Sequence, residues 1–209
     1  MPVATRKSPK SVAQKSTNGL ISYAEFLRWD GENQHVEWID GRMVAMAAVT
    51  HEHALLNQFL LGTIPAFVEH HDLGEILSDP FQMKTGPDLP GRAPDILFVA
   101  KANLHRVKRV FVDGPADLVI EVISQGSKAT DRIHKYGEYE RGGVREYWLL
   151  DPLKKQADFF LRNRRATFES VKVEGGIYRS AVIDDLWIKV DWLWKRPKVL
   201  TVLKQWKLV

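Results

Sequence analysis

The chain contains no cysteine, so disulfides and thiolate metal sites are excluded. Long hydrophobic runs are missing too: none approaches the roughly 18–20 apolar residues that span a bilayer. The N-terminus has no apolar signal region, which argues against export and for a cytoplasmic protein. There is no glycine-rich phosphate loop, and Ser124, Ser127 and the histidines lack the context of a nucleophile elbow. Internal repeats are absent as well.

What remains is ordinary globular composition. The 209 residues are 44% hydrophobic and 27% charged, enough for one sizeable core. The net charge is +4, but it is unevenly spread. Residues 1–19 carry four basic side chains (Arg6, Lys7, Lys10, Lys15) and no acid; residues 189–209 carry six basic side chains and one acid. The body between them is therefore acidic, at −5. Basic ends of this kind either hold phosphate backbones by releasing counterions or serve as solvated arms. We expect a disordered basic tail over 1–18, a single domain over 19–195 and a basic C-terminal extension over 196–209.

Ser22 and Glu25 form a capping box and predict a helix running to about Trp29, broken by Gly31-Glu32-Asn33. Strands at 35–39 and 42–48 flank Asp40-Gly41, a strong hairpin signal. Thr50 caps a long helix over 51–70, whose apolar residues recur at helical spacing. Short strands follow at 75–77 and 80–85, then a loop at 86–91. Buried strands at 95–99 and 117–123 enclose a polar, basic segment, 101–109, that reads as a short helix. A helix over 130–141 stops at Gly142-Gly143. A strand at 145–150, a hairpin of 156–161 with 166–173, and a Tyr/Trp-rich stretch at 177–194 complete the chain. The order predicts an α/β (α+β) fold with a mixed sheet flanked by helices.

Two acids stand out because each sits in an apolar strand. Glu121 lies within Asp117-Leu-Val-Ile-Glu121-Val-Ile-Ser, and Asp95 follows Pro94 at the head of Ile-Leu-Phe-Val-Ala. A buried carboxylate is costly unless a cation or hydrogen bonds compensate it. A hard divalent metal shared by both strands would do so, and so would pairing with an arginine such as Arg92 or Arg132. Alternation puts Asp117 and Glu121 on one strand face, with Asp117 expected to be exposed. Asp131, Lys135 and Tyr139 share a helix face, from which Lys135 can reach the strand end at Glu121; an Asp131–Lys135 surface pair is the plainer alternative. Glu37 is a further candidate or an exposed strand residue. His51 and His53, with His70-His71, make a weak case for zinc. Trp187, Trp192 and Trp194 read as core or interface rather than as a base-stacking platform.

Taken together, Glu37-Trp-Ile-Asp-Gly, His53, Pro94-Asp95, the Glu121 strand, and Asp131…Lys135…Tyr139…Gly143-Val-Arg-Glu146-Tyr-Trp-Leu-Leu-Asp151-Pro resemble the Uma2 family of restriction-endonuclease-like proteins, in the PD-(D/E)XK nuclease superfamily. The resemblance covers about residues 20–195 and is most specific from Asp117 to Pro152. It implies a restriction-endonuclease-like core, a four-stranded mixed sheet with extra strands at both ends. It implies Asp95, Glu121 and the carbonyl of Val122 as metal ligands, Glu37 completing the site, Mg2+ or Mn2+ as cofactor and DNA as partner. The superfamily's lysine would fall at position 123, which is Ile here; the resemblance puts Lys135 in its place. Ser124-Gln-Gly-Ser127 departs from the family's usual Ser-Pro-Ser. The expected activity is metal-dependent DNA endonuclease cleavage by a homodimer, its apolar contact offered by the Tyr/Trp-rich stretch. The rival is a non-cutting nuclease fold that binds nucleic acid or a protein partner, favoured by the acidic body and Ile123.

Overall fold

Capping chemistry and turn residues set the N-terminal elements. Ser22 opens α1 (Tyr23–Phe26): its hydroxyl accepts from the Glu25 N–H at 3.2 Å, and the Glu25 carboxylate takes the Ser22 N–H at 2.8 Å. The helix lasts one turn and does not reach Trp29. β1 (Val36–Ile39) and β2 (Arg42–Ala45) form an antiparallel hairpin about Asp40-Gly41, with φ of 48° and 81°. Two left-handed residues are what a two-residue hairpin turn requires. β2 ends at Ala45, three residues short of the expected boundary. Thr50 caps α2 (His51–His70) by accepting the His53 N–H at 3.2 Å. The computed structural model describes residues 19–30, 35–124 and 129–209, with the side chains of 129–132 outside that description. The expectations for the tail 1–18, the break at 31–33 and the loop 125–127 lie outside the described residues.

β3 (Gly74–Ser78), β4 (Gln82–Lys84), β5 (Gly91–Arg92) and β6 (Ile96–Ala100) follow α2. Lys101–Arg106 is a 3-10 helix, and β7 (Phe111–Asp113) comes next. Sequence periodicity does not resolve β5 or β7, because two or three residues are too few to show an alternation. β8 (Leu118–Val122) leads to α3 (Ala129–Gly142), β9 (Glu146–Asp151), β10 (Gln156–Arg162) and β11 (Phe168–Ser170). The helix stops where expected. Gly143 takes φ +91°, and a Cβ on Gly142 would sit 2.4 Å from the Thr85 hydroxyl.

The main sheet has the order β11-β10-β9-β8-β6-β3. β8 and β9 run parallel and its other neighbours are antiparallel, which makes it mixed. A second sheet, β2-β1-β5-β4-β7, lies beside it. Alternation along β8 divides the core. Leu118, Ile120 and Val122 face Leu56, Leu60 and Ile64 of α2; Val119 faces Tyr139 of α3 and Tyr147 of β9. Each fully buried aliphatic side chain there contributes roughly 1.5–3 kcal/mol.

The Tyr/Trp-rich stretch becomes β12 (Ile177–Arg179), β13 (Trp187–Lys189) and α4 (Val190–Lys195), followed by α5 (Val199–Gln205). Tyr178, Ile188, Trp192, Val202 and Trp206 all join the α2 side of the core. Much of the apolar surface expected to mediate a dimer packs within the chain, because α2 needs a second layer over its apolar face, while Trp187 and Trp194 stay partly exposed. The segment from 199 onward is folded against α2, with Trp206 edge-on to Phe67 at 5.3 Å. Glu146 anchors this region. Its carboxylate accepts from Trp148 Nε1 (2.6 Å), the Tyr178 and Ser180 hydroxyls (both 3.0 Å) and the Ala181 and Val182 N–H groups (2.7 and 3.2 Å).

Among the described residues no helix is long and apolar enough to cross a membrane.

Candidate active site

The pairing of β6 with β8 sets the geometry. Ile96 lies opposite Ile120, so Asp95, one residue earlier, meets the Glu121 end of β8. Asp95 Oδ2 accepts the Val122 N–H at 2.7 Å, capping the strand end, and its Oδ1 lies 3.1 Å from His53 Nε2 in the first turn of α2. Glu121 points to the opposite face of β8 from Ile120, toward α3. There Lys135 Nζ donates to both its oxygens at 3.1 Å, and the Tyr139 hydroxyl donates to Oε1 at 2.6 Å.

Glu37 arrives from β1 in the second sheet. Its Oε1 is 3.4 Å from Lys135 Nζ and accepts the Ala93 N–H at 3.3 Å. Its Oε2 accepts from Arg92 Nη1 at 2.7 Å. The same guanidinium grips Glu138 of α3 with two further bonds, at 2.8 and 2.9 Å. Two sheets and two helices therefore converge on one buried polar cluster, in which every named carboxylate, Arg92 and Lys135 is less than one-tenth exposed.

Electrostatics follow from this crowding. Burial pushes the Glu121 carboxyl up to about 7; Asp95 and Glu37 add to that, while Lys135 and the Tyr139 hydroxyl pull against it. For Glu37, burial is outweighed by Lys135 and Arg92, which hold its pKa below the usual carboxylate range. Burial also opposes a charge on His53, but Asp95, Glu121 and the Val122 carbonyl prevail and raise its pKa. The Tyr139 hydroxyl is driven well up by burial and by Glu121.

Four buried carboxylates, Glu37, Asp95, Glu121 and Glu138, thus face two buried cations, Arg92 and Lys135, among the described residues. The acids outnumber these cations, and His53, whose pKa is raised beside Asp95, offsets part of the difference. Among those residues no three His, Asp or Glu side chains are arranged to hold a metal by themselves. Mg2+ does not need such a trio, since it commonly keeps several waters and takes one or two carboxylates. Asp95, Glu121 and the Val122 carbonyl are hard oxygen donors at one strand end, and they fit such an ion by donor type and by charge.

The sequence-derived candidates Glu37, Glu121 and Lys135 come together here, and Asp95 with Val122 adjoins them. Asp117 does not join them. It is 1% exposed, not solvated as expected, because it accepts from the Ala100 N–H (2.8 Å) and Asn103 Nδ2 (2.9 and 3.0 Å) at the opposite end of β8. The alternative reading of Glu37 as an exposed strand residue does not hold either, since Arg92 and Lys135 bury it. The Asp131 side chain is outside the described residues. The histidines do not gather: His53 and His70 are separated by about 25 Å of helix at 1.5 Å per residue. Sequence reasoning missed Glu138 and undervalued His53 and Arg92. Glu138 sits three residues from Lys135 on the same helix face, a signal that was present; His53 and Arg92 acquire their roles only from tertiary placement.

Against known proteins, a family model described as "Uma2: Putative restriction endonuclease" matches residues 23–191. A solved structure of a putative nuclease belonging to DUF820 from Anabaena variabilis is similar to this fold, with a TM-score of 0.67 at 15% identity, covering 82% of this chain and 96% of that one. At that identity the likeness concerns the fold alone. No curated protein matches significantly.

Proposed function

This chain belongs to the Uma2 family, and we propose that it is a Mg2+- or Mn2+-dependent endonuclease that hydrolyses DNA phosphodiester bonds. The observation that carries the reading is the placement of two buried carboxylates, Asp95 and Glu121, at one end of paired apolar strands, with Lys135 on Glu121. Asp95, Glu121 and the Val122 carbonyl would hold the ion, which when bound supplies Lewis-acid stabilisation to a phosphate under attack. The chain's own groups do the rest. Lys135 presents a cation beside Glu121, where charge develops on the phosphoryl oxygens. Glu37, fixed by Arg92, holds Lys135 from its other side. Tyr139 orients Glu121, and His53 orients Asp95. Water displaces the leaving oxygen of the strand, and phosphate remains on one product end. A homodimer would let two such sites cut both strands, and with DNA as substrate the compartment is the cytoplasm.

One observation favours a second reading, a nuclease fold that binds nucleic acid or a protein without cutting. Both Glu121 oxygens already have a cationic partner in Lys135, and position 123 is Ile. Purified protein incubated with plasmid, single-stranded DNA and RNA, with Mg2+, Mn2+ or EDTA, separates the two. Cleavage that needs the metal and disappears in Asp95→Asn and Glu121→Gln supports the enzyme; no cleavage under any condition leaves the binding reading. Light scattering tests the dimer independently.

A further inference from the structure

Six arginines gather at the end of the main sheet away from the buried cluster. Strand pairing places them there. Leu118, at the start of β8, lies opposite Phe98 and Glu146, and Glu146 lies opposite Leu161. Arg145 therefore enters β9 at this end, Arg162 ends β10, and Arg164 and Arg165 stand exposed at the turn into β11. Arg141 comes from the last turn of α3, and Arg106 from the 3-10 helix that follows β6. Neutral carbonyls hold three of the guanidinium groups. Arg106 donates to the Pro115 carbonyl at 2.9 Å, Arg141 to Gly137 at 3.2 Å and Arg162 to Glu140 at 3.2 Å. Those bonds fix the side chains without cancelling their charge. Of the six, only Arg145 has a carboxylate partner among the described residues, Asp117 at 3.4 Å. Most acids at this end are already engaged. Asp117 and Glu146 are buried among their donors. Glu140 accepts the Phe168 N–H at 2.6 Å, and Glu169 accepts from Asn163 Nδ2 at 2.7 Å. Asp113 of the neighbouring β7 is exposed, but so are Lys108 and Arg109 on the segment leading into that strand.

The body of the chain carries a net −5, so an arginine-rich end does not follow from overall charge. Guanidinium groups held in place without acids call for an anion from outside, and their planar fork matches phosphate. From β6 to β11 is four strand spacings, about 19 Å at 4.7–4.9 Å each. A front of that width spans the roughly 12 Å major groove of a duplex and meets phosphates of both strands; a single strand needs only a narrow track. Asp117 and Glu121 are four residues apart on β8, about 13 Å, so a phosphate held here is not the one beside Glu121. We propose that this end of the sheet is a second nucleic-acid surface, which grips the backbone of duplex DNA independently of the metal site. The inference takes DNA as the partner from the reading above and adds a hold that the buried cluster does not supply. Such a surface reads no base sequence, because phosphate contacts carry none.

The test measures binding of a fluorescent duplex of mixed sequence to the full chain in EDTA, by anisotropy across a salt series. Three variants, folded by circular dichroism, are compared with the wild type. One is Arg141→Gln/Arg164→Gln/Arg165→Gln, and the second changes the same three arginines to lysine. The third, Lys198→Gln/Lys204→Gln/Lys207→Gln, removes equal charge from exposed positions on and beside α5. The glutamine variant should lower the slope of log K against log salt by about 2–3, at roughly 0.9 per phosphate contact. The lysine variant should keep the wild-type slope, and the α5 variant should change it far less. An unchanged slope in the arginine-to-glutamine variant would overturn the surface. An equal fall in the α5 variant would overturn it too, since net charge alone would then be the cause. Polyglutamate that binds the wild type as tightly as the duplex does, and fails to bind the arginine-to-glutamine variant, would overturn the nucleic-acid assignment in favour of an acidic protein. A wild type that binds duplex in the expected way but cuts nothing with any metal keeps the surface and overturns the cleavage reading. Metal-dependent cleavage with a wild-type slope in the arginine-to-glutamine variant does the reverse.

Discussion

Lys135 holds its Nζ 3.1 Å from both oxygens of Glu121 and 3.4 Å from Glu37, so one helix side chain bridges acids from two sheets. Position 123, two residues past Glu121, is Ile and supplies no cation, so Lys135 is the cation beside Glu121. Lys135→Ala should lower cleavage roughly 10²–10³-fold, as for loss of one preorganised stabilising group. Divalent metal should bind at least as tightly, because the site becomes more negative. Single-turnover rates and a metal titration separate the effects; full cleavage in the variant would remove Lys135 from the chemistry.

The Glu121 carboxyl, pushed up to about 7 from 4.5, makes stability depend on pH. The folded state binds this proton more tightly than the unfolded one. The stabilisation is therefore complete below about pH 4.5 and is lost as pH rises through 7, at most about 1.4 kcal/mol per unit. Urea melts of metal-free protein between pH 4.5 and 8 should show this loss, and Glu121→Gln should flatten it. Parallel curves for wild type and variant would show that Glu121 does not titrate in this range. Metal binding near neutrality should release protons, measurable by calorimetry in buffers of different ionisation enthalpy.

Arg92 is the tie between Glu37 and Glu138. Arg92→Met leaves two buried carboxylates without their guanidinium and should cost about 3–5 kcal/mol. Adding Glu138→Met should recover part of that cost. A double-mutant cycle by denaturant melts measures the coupling, and strictly additive losses would contradict a shared network.

Glu146 offers a contrast, far from any proposed chemistry. Burial raises its pKa, yet five donors surround the carboxylate. Glutamine fits the space but turns an NH2 group toward one set of those donors. Glu146→Gln should therefore destabilise by about 1–3 kcal/mol per donor group left unpaired, with kcat on any substrate unchanged in the folded fraction. Thermal melts and single-turnover rates check the two halves of this expectation.

The N-terminal segment carries four cations and no acid. Deleting residues 1–18 should reduce the slope of log K for DNA against log salt by up to about 3–4, at roughly 0.7–0.9 per phosphate contacted. An unchanged slope would show that the segment makes no phosphate contacts.

The parts of this architecture with strong local signals were legible in the sequence. The Ser22 and Thr50 caps, the Asp40-Gly41 hairpin, the α2 periodicity and the Gly142-Gly143 stop each state their structure within a few residues. Glu121 announced itself as an acid in an apolar strand, and helical spacing brought Lys135 toward it. Asp117, on the same strand face, was expected to be exposed but is buried and satisfied at the other end of the strand by Asn103 and the Ala100 N–H. That difference depends on the 3-10 helix folding back over the sheet. Arg92 was offered as a partner for the strand acids Asp95 and Glu121, but it pairs instead with Glu138 and Glu37, 46 and 55 positions away, which no local pattern indicates.

The packing of α5 against α2 has a consequence for the order of synthesis. Every residue proposed to act, from Glu37 to Tyr139, leaves the ribosome before the segment that closes the apolar face of α2. Val202 and Trp206 follow Tyr139 by more than about 60 residues. Until they dock, Phe67 lacks its Trp206 partner and the apolar face of α2 is incompletely covered. A nascent chain can therefore display all the acids of the cluster before the helix that carries His53 is fully packed.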